Sequence, residues 1–289
     1  MKRKITLALL CLLVLLVSTA CRGQAPAEVA GRTILSMGPS NTEILVALGF
    51  GDQIIGIDTF SGAVEGVRPD LPAFDMMMPD VEQMIALAPD VIFATGMTQV
   101  EGLDPFEVVS EAGIEVVHVP VSASIAEIWA DIRLIAAALG AEAAGEAMIE
   151  EMEREIDLIR SIALEVTEVR TVYFEIAAPP FMYSFGRGVF LHEMIELIGA
   201  VNAFADQNAW FFVADEAVLE VNPDVILTNV GYIDDPVGDI LARSGWGTIS
   251  AVADGRVYFI DPDSSSRPSH HIVRALWEMA RAVYPELFA

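Results

Sequence analysis

The chain has 289 residues, 54% of them hydrophobic, enough apolar material for one large domain or two of moderate size. It carries 42 acidic against 16 basic side chains, and a surface with a formal net charge of −26 repels phosphates, which excludes DNA and RNA as partners. Both cysteines, Cys11 and Cys21, lie at the N-terminal end, so the remainder has no disulfide scaffold, thiolate metal site or cysteine nucleophile.

Residues 1–20 open on a basic stub (Met1 to Lys4), continue as an apolar run from Ile5 to Val17, and end in Ser18-Thr19-Ala20 before Cys21. That order describes an export signal. The run is shorter than the roughly 20 residues a bilayer-spanning helix needs. Small residues ending at a cysteine resemble the bacterial lipobox, with Ser18 where that motif usually has leucine. The resemblance implies acylation of Cys21 and an exported chain on the outer face of the cytoplasmic membrane, or periplasmic. Residues 21–31 read as the lipidated N-terminus and a short tether.

From residue 32 onward, apolar β-rich runs at 33–37, 53–57, 91–94, 114–119, 171–176, 225–229 and 256–260 alternate with helical patterns. Continuous apolar strands separated by amphipathic segments predict parallel sheet covered on both faces, an α/β architecture. Residues 141–169 read as one long helix, apolar on the face of Met148, Met152, Ile156, Ile159 and Ile162. Glu150 and Arg154 are an i,i+4 pair on it. Such a helix serves as a strut or as a core element. The expected division is an N-terminal lobe at 32–140, the linking helix at 141–169 and a C-terminal lobe at 170–289.

The two halves repeat. Residues 82–92 and 216–226 both read Glu, six residues, then Pro-Asp-Val-Ile, and 43–49 and 193–199 both read as a helix ending in glycine. Two matches in the same order predict related lobes with a ligand cleft between them. Ser40-x-x-Glu43 reads as a capping box, a structural role for Glu43.

Residues 32–45 (R-T-I-L-S-M-G-P-S-N-T-E-I-L) resemble the opening "R-I-V-S-L-S-P-S-N-T-E-I-L" of iron-siderophore and vitamin B12 binding proteins, the substrate-binding subunits of ABC importers. Residues 186–193 (G-R-G-V-F-L-H-E) with 199–202 (G-A-V-N), and then Asp261-Pro262-Asp263 and Ser266-Arg267-Pro268, resemble the second-lobe and closing signatures of that family. The resemblance implies two Rossmann-like α/β lobes joined by one long helix. It also implies one exposed acid on each lobe, here Glu82 and Glu216, engaging arginines of a permease dimer.

The cleft is expected to be lined by loops at the strand C-termini. These are 58–60, 74–78, 96–98, 179–187, 208–212, 231–232 and 264–271. Correspondence with B12-binding relatives puts Phe60, Phe181 and Trp210 against a macrocycle. Met76 and Met77 add an adaptable apolar surface. Arg187 and Arg267 are scarce cations for a ligand carboxylate or a surface ion pair. Where relatives have arginine the chain reads Ser269-His270-His271, and these histidines either approach the ligand or cap the following helix.

The resulting expectation is a monomeric, lipid-anchored importer subunit carrying an iron(III)-siderophore or a corrinoid, with no resident cofactor or metal and no enzymatic activity. A haem-binding lipoprotein of the same fold is the alternative, with Met77 as axial ligand and Tyr232 near the opposing position. An exported hydrolase is disfavoured because Gly-x-Ser-x-Gly, His-Glu-x-x-His and phosphate-binding glycine loops are all missing.

Overall fold

Strands buried on both faces read as continuous apolar runs, and all four residues of β1 (Ile34–Met37) are buried in the computed structural model, which describes residues 31–99 and 104–288. The export signal, Cys21 and the tether as far as residue 30 lie outside the described residues. The first lobe continues with α1 (Pro39–Ala47), β2 (Ile54–Asp58), β3 (Ala73–Phe74), α2 (Val81–Leu87), β4 (Val91–Thr95), α3 (Glu107–Glu111), β5 (Glu115–Val119) and α4 (Ile125–Ala138). Its strands form one parallel sheet in the order β3-β2-β1-β4-β5.

After α5 (Glu142–Ala163) the second lobe runs β6 (Thr171–Glu175), β7 (Tyr183–Phe185), α6 (Phe190–Leu197), β8 (Val201–Asn202), β9 (Trp210–Phe212) and α7 (Asp215–Val221). It ends with β10 (Val225–Thr228), α8 (Pro236–Ala242), α9 (Ser250–Ala253), β11 (Val257–Phe259), α10 (Pro262–Ser266) and α11 (Ile272–Val283). Strands β8-β6-β10-β11 make a second parallel sheet, and β7 and β9 an antiparallel ribbon. The order β8-β6-β10-β11 reproduces β2-β1-β4-β5, so the sequence repeat is a repeat of topology.

The repeated Glu…Pro-Asp-Val-Ile unit has a physical basis. Thr33 donates through N (2.7 Å) and Oγ1 (2.8 Å) to Asp90 Oδ2, and Thr171 through N and Oγ1 (both 2.8 Å) to Asp224 Oδ2. Each aspartate thus ties the start of the central strand to the strand beside it. The hydrogen bonds from Thr33 hold the Asp90 carboxyl below the ordinary carboxylate range. Helices α2 and α7 each end on a residue in the left-handed region, Ala88 (φ 47°) and Asn222 (φ 42°), which turns the chain into Pro-Asp.

Helix α5 is 22 residues long, about 33 Å at 1.5 Å per residue. It buries Gly145, Ile149, Met152, Ile156 and Ile159, with Met148 and Ile162 half-buried at the stripe's margins. It packs on α4 of the first lobe and on α6 and α11 of the second, so it is a core element along its length. At Gly145 an added Cβ would stand 2.7 Å from the Ala136 methyl, so close approach to α4 requires glycine. Three local expectations are corrected. The arginine at 154 pairs with Glu151, one helical position nearer than Glu150. The helix ends at Ala163, short of residue 169. Residues 210–212 are not loop but strand β9, because they meet Tyr183–Phe185 in register.

Candidate functional site

The order β3-β2-β1-β4-β5 reverses direction between β1 and β4, and at such a switch point the loops beyond the strand C-termini diverge and leave a crevice. A cavity of about 300 Å3 lies there, between the lobes. The first lobe lines it with Gly38 to Asn41 after β1, Met76 after β3, Thr95 at the end of β4 with Met97 beyond it, and Pro120 to Ser122 after β5. The second lobe contributes Phe190 at the start of α6, Trp210 on β9, and Ser266, Arg267 and Pro268 before α11. Larger cavities, of about 550 and 420 Å3, flank α5 between α4 and α6 and between α1 and α11, away from the strand ends.

Of the residues expected at the ligand, the structure brings Met76, Trp210 and Arg267 together in this lining. Trp210 is 42% exposed and stands edge-on to Phe185 at 5.6 Å, which fixes its ring at the cleft wall. Phe60, Met77, Phe181 and Tyr232 are exposed outside that lining. Phe60 is positioned from below: Asp58, fully buried, accepts from Phe60 N (2.8 Å) and from Ser61 Oγ, and Ser61 Oγ lies 2.9 Å from Thr42 Oγ1. Asp75 Oδ1 accepts from Met77 N (2.8 Å) and Met78 N (3.0 Å), which shapes the methionine loop. Tyr232 Oη accepts from Ala178 N at 2.9 Å. Arg187 is exposed, and among the described residues its guanidinium has no ion-pair partner.

His271 lies in a separate polar cavity with Glu43, Asp263 and Arg267, stacked on His270 at 4.0 Å. Neither histidine caps α11 through its side chain. Burial and the neighbouring His271 push His270 down to about 4. Among the described residues no three His, Cys, Asp or Glu side chains converge as a metal site would require.

Glu43 corrects the capping-box reading. Helix α1 starts after Gly38 with Pro39 in its first turn and has no side-chain cap. Glu43 is buried instead, and its Oε1 accepts from Arg267 Nη1 (2.7 Å) and its Oε2 from Ser269 Oγ (2.5 Å), both from the other lobe. Its repeat partner Glu193 reaches the opposite way, accepting from Ile125 N at 3.0 Å. The cation that borders the cleft is therefore already neutralised by Glu43, and Asp263 sits 2.7 Å from its Nη2. Ser40, Asn41, Pro120, Val121, Ser122 and Phe190 are lining residues that the sequence reading missed. The signal was available, since all but Phe190 follow strands it had placed.

Glu82 and Glu216 both lie in the first turn of their helices, α2 and α7, and both are exposed. Asp80 caps α2 by accepting from Gln83 N (3.0 Å). On α7 the neighbouring Asp215 instead accepts from Trp246 Nε1 (3.0 Å), which anchors that helix start to the core of the second lobe.

A family model described as "Periplasmic binding protein" matches residues 34–264. The chain belongs to the periplasmic binding protein family. The binding protein is 34% identical over 259 residues to the uncharacterized ABC transporter substrate-binding lipoprotein YvrC of Bacillus subtilis (strain 168), covering 89% of this chain and 81% of that one. It is 26% identical to the vitamin B12-binding protein of Yersinia pestis (strain Pestoides F) over 71% of each chain. Its fold is similar (TM-score 0.78, 28% identity, 88% of this chain and 98% of the other) to a crystal structure described as "a possible an iron-binding (periplasmic solute-binding) protein" from Staphylococcus epidermidis ATCC 12228. The binding protein is thus a substrate-binding component of an ABC importer, a class that works with permease and ATPase components.

Proposed function

We propose that this binding protein, held outside the cytoplasmic membrane through Cys21 and free of any resident cofactor, captures a bulky metal chelate in the interlobe cleft. It then hands the chelate to a permease dimer that docks on Glu82 and Glu216; no bond is made or broken. Among chelates we place a corrinoid ahead of an anionic iron(III)-siderophore. The observation that carries this order is the charge of the lining: among the described residues its one cation, Arg267, is committed to Glu43 and Asp263. What remains is thioether, indole, phenyl, proline and neutral polar surface, which suits a large ligand whose metal is already saturated and whose edges are uncharged. The 26% identity to vitamin B12-binding proteins agrees with that order. Haem is the second reading, supported by the Met76 thioether in the lining and by the exposed Arg187 for a propionate.

Thermal unfolding of the whole chain with cyanocobalamin, a ferric catecholate siderophore and haemin tests the order. A ligand that binds only the native state raises the transition by an amount that grows with its concentration. Cyanocobalamin is expected to do so while the ferric catecholate does not. A larger shift with the ferric catecholate reverses the order, and a saturable shift and sharpening of the haemin Soret band on adding the chain support the second reading.

A further inference from the structure

The repeat that relates the lobes carries more than the docking acids. At a constant spacing of 134 residues it pairs Met76 with Trp210, Met78 with Phe212 and Glu82 with Glu216. The first pair lines the cleft, and the last pair is exposed in the first turn of α2 and α7. Between them stand two large apolar side chains left in solvent, Met78 at 80% exposure and Phe212 at 71%.

Met78 is positioned through its backbone and Phe212 through both backbone and ring. Asp75 Oδ1 accepts from Met78 N (3.0 Å), while the Phe212 ring stands edge-on to Tyr183 at 4.7 Å and its backbone is paired in β9. Presenting an apolar side chain to water from a positioned backbone on a strongly acidic surface gives the isolated chain nothing; positioning it in advance lowers the ordering cost of a contact made later. We propose that Met78 and Phe212 are apolar pegs of a two-footed docking surface. Each is coupled to the carboxylate four residues on, and the pair fits a membrane partner built from two equivalent subunits. Each subunit offers an apolar socket beside a cation. The choice of partner follows from charge and symmetry. One acid and one peg per lobe, in the same order on a chain of net charge −26, match a two-fold cationic surface. The inference rests on the docking role of Glu82 and Glu216 proposed above. It adds that the cargo-contacting residue, the peg and the acid share one short segment on each lobe, so the partner grips the segments that hold the cargo.

The test uses the whole chain and its own permease–ATPase complex in lipid nanodiscs, with binding read on a biosensor. Cargo affinity is read separately by titration with cyanocobalamin and with haemin. Met78→Ser with Phe212→Ser is expected to weaken association with the permease threefold or more and to leave the cargo affinity within twofold. A loss of less than threefold overturns the proposal. So does a cargo affinity that falls as far as the docking affinity, because the two side chains then belong to the cleft. Glu82→Ala with Glu216→Ala is run beside it. If the acid variant leaves docking unchanged, the docking reading itself fails; if it weakens docking while the peg variant does not, only the present inference fails.

Discussion

Asp131 on α4 shows how one buried carboxyl writes itself into the stability of the fold. Burial, opposed by a hydrogen bond from Ser122 Oγ, pushes it up to about 6 from 3.8. The native state therefore keeps a proton that the unfolded chain has released, and stability falls as pH rises from about 4 to 6 before levelling off. Two pH units correspond to about 3 kcal/mol, which relaxation of the site reduces to about 1–3 kcal/mol. In urea unfolding at pH 4.5 and 7.5, the native chain is expected to gain less stability, or lose more, from the lower to the higher pH than Asp131→Asn does, the difference being the contribution of Asp131. The same change with pH in both chains assigns the dependence elsewhere. His270 acts in the opposite sense, because its depressed value of about 4 withdraws stability as pH drops from 6.5 toward 4. His270→Phe is expected to flatten that arm in the same measurement.

At the scale of elements, the two copies of the helix–Pro-Asp–strand unit differ in how they turn. Asn222 takes the left-handed conformation with its amide bonded to Ser250, donating from Nδ2 (3.0 Å) and accepting from Ser250 N (2.8 Å). Ala88 adopts the same conformation with a methyl that gives nothing back, a strain of about 1 kcal/mol for an L-residue. Ala88→Gly is expected to raise stability by about 0.5–1 kcal/mol in urea unfolding, and unchanged or lower stability would show that the position carries no strain. The same comparison shows what periodicity can reveal. All seven apolar runs became strands within a residue or two at each end; the central strands β1, β4, β6 and β10 demand such runs because they are buried on both faces. The strands β3, β7, β8 and β9 were not legible. Each has two or three residues, and its hydrogen bonds go to partners that no local pattern names.

For the whole molecule, the crossed glutamates matter most. Glu43 of the first lobe holds Arg267 and Ser269 of the second, while Glu193 of the second holds the start of α4 in the first. The lobes are thus joined on both sides of α5, which favours a cleft that changes width little. Removing one partner of a buried ion pair costs up to about 3–5 kcal/mol, and because Arg267 keeps Asp263 we expect about 2–4 kcal/mol for Glu43→Gln by urea unfolding. The same substitution returns a positive charge to the cleft and is expected to raise the affinity for haemin over that of the native chain. A loss under 1 kcal/mol would mean that the contact does not join the lobes energetically.

What the chain determined by itself is whatever depends on nearest neighbours and on period: the parallel strands, the long helix, the repeat, and the exposed acids at two helix starts. Tertiary structure decided which polar groups meet. Glu43 fits a local capping pattern and is instead used by an arginine 224 residues away, since a buried carboxylate is stable only where a donor reaches it. The same pairing took the charge out of the cleft, and with it the simplest ground for reading the cargo from a list of arginines.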